Sequence, residues 1–112
     1  MRTVPALLTA LTLAIAHALP MTAQAQDIKA GRHIAEQHCA RCHAVGRKGA
    51  SPFDKATPFR LIHKKYPIQN LEEAFGEGAT ANHLGMPDFE FSPRAVSDLL
   101  AYMQSFTPKR RN

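Results

Sequence analysis

Five consecutive residues, Cys39-Ala40-Arg41-Cys42-His43, constrain this chain more than any other stretch. A C-x-x-C pair followed at once by histidine is the spacing of a c-type haem attachment site. Two vinyl groups on neighbouring pyrroles each need a thiol, and two intervening residues bring both sulfurs to one side of the porphyrin. The next residue then lies under the iron, where an imidazole can bind it as proximal ligand. Three other uses of paired cysteines compete. A thioredoxin-like redox pair would sit in a βαβ pattern, which is absent around Cys39. A closed zinc site needs four ligands, and there is no second cysteine pair. A short structural disulfide in an exported chain is the third. The motif favours the first use. It predicts one covalent haem c, bound through Cys39 and Cys42, with His43 on the iron.

The chain's 112 residues make one domain. Arg2, the apolar run over residues 4–15 and the small-residue triplet Ala23-Gln24-Ala25 read as a secretory signal peptide. A membrane anchor is the alternative, but Thr9, Thr12, His17 and Pro20 interrupt the run short of the roughly 20 residues a span needs. The expected organisation is a signal peptide over 1–25, cleaved near Ala25, and one domain over 26–112 with no membrane span. Thioether formation needs free thiols in an oxidising compartment, hence dedicated maturation machinery and a bacterial periplasm. A mature chain this short has little apolar material for a core of its own. Haem supplies a large apolar disc for short helices to pack on, and the apo-protein is expected to be largely unfolded.

Capping and periodicity predict the elements. Asp27 caps a helix starting at Ile28, with Ile28, Gly31, Ile34 and Ala35 on one face leading to the cysteines. Gly31 is costly inside a helix unless something must approach closely. Residues 44–56 are loop. Thr57-Pro58 starts a short helix that stops before Tyr66-Pro67. A second runs from Ile68 to about Gly76 with Ile68, Leu71 and Phe75 on one face. Residues 79–91 show no helical period. Ser92-Pro93 starts the last helix, with Val96, Leu99, Leu100, Met103 and Phe106 as its buried stripe. No strand is predicted. The fold class is all-α, short helices and long loops wrapped around one haem.

A second axial ligand decides what such an iron can do. Met86 lies in an irregular loop between Gly85 and Pro87, where a thioether is free of helical constraint; Met103 lies on an apolar stripe and reads as core. His83, three residues before Met86, is the rival ligand and would lower the potential. His63 reads as an ordinary residue of its short helix, and His33 and His38 as solvent-facing.

The haem motif, Gly85-Met86-Pro87-Asp88-Phe89 and Asp98-Leu99-Leu100-Ala101-Tyr102 together resemble a small monohaem class I cytochrome c of the bacterial, exported kind. The likeness covers nearly all of the chain after the leader and implies the cytochrome c fold. It implies that Met86 is the distal ligand and that Gly31, eight residues before the first cysteine, lets the first helix touch the last. Ala35 stands where the family often has an aromatic residue, implying a smaller crossing. A proline carbonyl in the loop after the motif is implied as acceptor for the proximal imidazole, which points to Pro52 with Pro58 behind it. Tyr66 and Arg60 are the residues expected to meet a haem propionate.

The chain carries 14 Lys and Arg against 9 Asp and Glu. Its bases gather at Arg41, Arg47, Lys48, Lys55, Arg60, Lys64 and Lys65, its acids later at Glu72, Glu73, Glu77, Asp88 and Glu90. Such asymmetry can steer a redox partner protein with an acidic docking surface. No nucleic-acid module accompanies the bases, so nucleic acid is not an expected partner. The expected function is one-electron transfer by a His/Met-ligated haem, as a soluble carrier or an electron-transfer subunit, with no catalytic residues. A haem-based ligand sensor or haem enzyme with an openable distal site is the alternative.

Overall fold

Asp27 does what its position requires. Its carboxylate accepts from the backbone N–H of Lys29 and Ala30 at 2.9 and 3.1 Å and starts helix α1, Ile28–His38. The computed structural model describes residues 24–76 and 85–109. Helix α2, Phe59–Ile62, follows the loop after the cysteine motif; a 3-10 turn over Ile68–Asn70 runs into α3, Leu71–Gly76; and α4 spans Pro93–Gln104. Among the described residues there is no strand, and no helix is long and apolar enough to cross a membrane.

The two long helices, α1 and α4, pack against each other, and α3 with its 3-10 turn packs on α4. Ser92 caps α4 by accepting from Ala95 N–H at 3.2 Å, with Pro93 in the first turn. The buried face of α4 is the stripe Val96, Leu99, Leu100 and Met103, joined by Tyr102; Phe106 is partly buried. Opposite it lie Ala35 and Cys39 of the α1 side, with Phe59 and Ile68 completing the core. The cysteine motif is therefore anchored inside the core, not beside it.

Gly31 sets how close the helices come. A Cβ on it would lie 2.5 Å from the carbonyl carbon of Asp98, 3.0 Å from Leu99 N, and closer still to the Asp98 carbonyl oxygen. Only glycine permits this approach. Ala35 is fully buried in the same core, and its small side chain leaves the crossing to be held by backbone proximity.

The crossing is also held by charge. Asp98 is a buried carboxylate on α4; its Oδ1 accepts from Asp27 N–H at 2.7 Å and its Oδ2 from Arg94 Nε at 2.9 Å. Arg94 then donates to Gln24 Oε1 and to the carbonyl of Ala25, each at 3.0 Å. One side chain thus satisfies a backbone donor at the start of α1 and ties that end to α4. The hydrogen bond from Asp27, helped by Arg94, holds the Asp98 carboxyl below its usual range against the opposing effect of burial. A carboxylate depressed in the folded state stabilises above its unfolded pKa of about 3.9 and loses that contribution as pH falls through its folded value. Asp98→Asn is expected to lower the thermal midpoint of the holoprotein at pH 7. The gap to wild type should close as pH falls below about 4. A gap that stays constant into acid would show that the charge of Asp98 does not hold the crossing.

One expectation about capping is not met. Thr57 does not cap α2; Pro58 holds the cap position without a side-chain bond, and Phe59 N–H donates instead to the Ala44 carbonyl at 2.9 Å. The Thr57 hydroxyl accepts from Lys65 Nζ at 2.9 Å. A four-residue helix leaves its start to be decided by the loop that feeds it.

Candidate haem-binding site

Helix α1 ends at His38 and leads directly into the motif, with Cys39 at its C-cap. The Cys39 carbonyl accepts from Cys42 N–H at 3.1 Å and His43 N–H at 2.9 Å, one further helix-like turn. Positions i, i+3 and i+4 of such a turn share a side, so Cys39, Cys42 and His43 are presented together. Both thiols are free, Cys39 buried and Cys42 half-buried. Burial pushes the Cys39 thiol up to about 11. A redox-active pair needs the opposite, a thiol pushed down toward neutrality. A neutral sulfur in apolar surroundings suits a thioether instead. Among the described residues no three His, Cys, Asp or Glu gather to hold a bare metal ion.

The loop after the motif is pinned at four points. Ala44 N–H donates to Ser51 Oγ at 3.0 Å, Phe53 N–H to the Cys42 carbonyl at 3.1 Å and Phe59 N–H to the Ala44 carbonyl at 2.9 Å. Tyr102, from α4, donates its hydroxyl to the Val45 carbonyl at 2.6 Å. These bonds fix the far side of His43. Its Nδ1 lies 2.7 Å from the Thr57 carbonyl. A carbonyl only accepts, so Nδ1 carries the proton, and in the neutral ring this leaves Nε2 with its lone pair. An imidazole held this way is oriented and made more basic as a metal ligand.

The acceptor corrects the expectation that Pro52, with Pro58 behind it, supplies this carbonyl. Pro52 is exposed in the loop, and the Pro58 carbonyl takes Leu61 N–H at 2.9 Å. Thr57 is the residue before Pro58. Proline restricts its predecessor to extended backbone, which turns the Thr57 carbonyl out of the coming helix and toward the imidazole. The proline matters, one residue away from the atom it positions.

Met86 is half-buried, follows Gly85 at φ +84°, and lies in a stretch without regular secondary structure. Aromatic rings hold that stretch to the body. Phe89 and Phe91 stack at 5.4 Å, and each meets the edge of His38, at 5.9 and 5.4 Å; Phe75 of α3 meets Phe91 at 6.4 Å. His38 ends α1 next to Cys39, so the Met86 segment is fastened to the same end of α1 that carries the motif. His38 is exposed as expected, but its ring contacts were not foreseen. His83 lies outside the described residues. Met103 is buried in the core, as its stripe implies. Tyr66 is 48% exposed. Arg60 is half-buried.

Residues 26–103 match the family described as cytochrome c oxidase, cbb3-type, subunit III. The chain belongs to that family. It is a c-type cytochrome domain of the class I kind, all-α, whose work is electron transfer through covalently bound haem c. No curated protein and no solved structure gives a significant match. The residues fit the group that the family implies: two free thiols and an imidazole with Nε2 free, on one side of one turn.

Proposed function

We propose that this protein moves single electrons between redox partners, on one haem c attached through Cys39 and Cys42 and ligated by His43 and Met86. The haem supplies the one-electron couple. The observation that carries the reading is the bond from His43 Nδ1 to Thr57, which fixes the tautomer an iron ligand needs, beside two unpaired thiols. The chain's own residues do the rest. Thr57 and Phe59 orient the imidazole, whose ring lies 5.6 Å from that of Phe59. Phe89, Phe91 and His38 hold the methionine segment in place. A thioether closing the sixth position leaves no open iron site and favours the ferrous state relative to a second imidazole. No side chain is required as acid, base or nucleophile.

Export is part of the proposal: a leader over 1–25 is removed, and with it the Arg94 partners Gln24 and Ala25, leaving residues 26–112 outside the cytoplasm with the Asp98 bonds to Asp27 and Arg94 intact, as a periplasmic carrier or as a subunit of a larger oxidoreductase. Cys39→Ala with Cys42→Ala should abolish covalent haem, read as the loss of absorbing protein after acid–organic extraction. Full retention of haem by the double variant would sink the assignment. The bases from Arg41 to Lys65 are proposed to face an acidic partner. Electron-transfer rates at low concentration should then fall as salt rises; a flat salt dependence would argue against such a face.

A further inference from the structure

Residues 24–27 are bonded one after another to one side of α4. Gln24 Oε1 and the Ala25 carbonyl accept from Arg94 Nη1 and Nη2, each at 3.0 Å. Gln26 Nε2 donates to Ser97 Oγ at 3.0 Å, and Asp27 N–H to Asp98 Oδ1 at 2.7 Å. Arg94, Ser97 and Asp98 stand at positions i, i+3 and i+4 of the helix, hence on one face. The last of these bonds belongs to the helix crossing. The first three surround a different feature, the peptide bond between Ala25 and Gln26. All four residues are exposed, so they are held by bonding and not by cover.

That peptide bond is where the proposed leader ends. Cutting it adds water across the amide: the Ala25 carbonyl carbon becomes a carboxylate and the Gln26 nitrogen an ammonium. A peptidase must take the Ala25 carbonyl oxygen into its own donors as charge develops there. It also reads the flanking chain as an extended strand, through main-chain groups. Here a guanidinium already holds that oxygen, and the side chains on both sides of the bond are tied to α4. We propose that residues 24–27 form a latch on α4, which withholds the Ala25–Gln26 bond from the leader peptidase once α1 and α4 have met. The bond is open to cutting before the crossing forms and closed afterwards, so a chain that folds first keeps its leader. A chain cut first loses the two Arg94 acceptors and keeps the bonds of Gln26 and Asp27.

The latch rests on the leader proposed above, and its test separates the two. Full-length holoprotein with its leader attached is taken from cells whose leader peptidase is inhibited. Purified leader peptidase is added in detergent, and the chain that begins at Gln26 is followed by intact mass. A chain ended at Glu90, which has the leader and lacks α4, is the reference. The reference should be cut after Ala25, and folded wild type about tenfold more slowly or slower still. Arg94→Gln should speed cutting of the folded protein about tenfold, by raising the population in which the segment is open. Met103→Ala lowers overall stability further along α4 and should leave the rate near that of wild type. Equal rates for folded wild type and the reference would overturn the latch. So would a rate that Arg94→Gln does not raise, or one that Met103→Ala raises as much, which would make global unfolding the route. A reference left uncut after Ala25 would overturn the leader and the latch with it. If Arg94→Gln does not accumulate, Ser97→Ala frees the Gln26 side chain and carries the same comparison with Met103→Ala.

Discussion

Gly31→Ala should cost the protein its central helix crossing. Ordinarily this exchange inside a helix is favourable, by about 1 kcal/mol, because alanine restricts the unfolded chain and glycine does not. Here the added methyl would fall inside contact distance of three backbone atoms of α4, those of Asp98 and Leu99. Backbone cannot swing aside as a flexible side chain can, so α1 and α4 must part. Parting them also stretches the bond from Asp27 to Asp98, which is made between the same two helices. Overpacking of a rigid contact costs about 1–3 kcal/mol, and a weakened buried bond to a charged acceptor adds about as much again. The expected result is a net loss of about 3 kcal/mol in urea unfolding of the holoprotein, a large share of the stability of so small a domain. A midpoint at or above wild type would show that the helices do not meet at residue 31.

Met86→Ala should change the iron without unfolding the chain. Met86 is half-buried in an irregular segment, so truncating it removes little packing. What it removes, on the proposed ligation, is the sulfur that keeps the potential high. Oxidised wild type should show the weak long-wavelength band of sulfur-to-ferric-iron charge transfer. The variant should lose that band, fall in potential and bind carbon monoxide rapidly when reduced. Met103→Ala supplies the contrast. Met103 is one of the two largest fully buried side chains, and its loss should cost about 2–5 kcal/mol while leaving the band intact. If the band survives in Met86→Ala and disappears in Met103→Ala, the ligand assignment is wrong. Rapid carbon monoxide binding by wild type would favour a sensor over a carrier.

Features written in one stretch of chain were legible in the sequence. Asp27 before Ile28 and Ser92 before Pro93 are local signals, and both cap as their chemistry requires. Gly31 was legible because its cost in a helix needs a reason, and α4 supplies it. The Thr57 carbonyl was not, since every residue has one and only the path of the loop selects among them. The bond that Asp98 makes was not legible for a related reason. A lone acid in an apolar stripe carries no local sign of a backbone donor far away in the chain.

The bond from Asp27 to Asp98 joins residues 71 apart in the chain, and this bears on timing. Closing so long a loop is an entropic cost met before any contact repays it. Helix α1 has eleven residues, too few to persist alone in water. On the proposed export, a chain delivered N-terminus first across a membrane keeps its first helix uncommitted until Asp98 and Leu99 have also crossed. Throughout that interval Cys39, enclosed in the finished protein, stays within reach of whatever joins it to haem. The order in which the two ends of the fold arrive sets the window for attaching the cofactor.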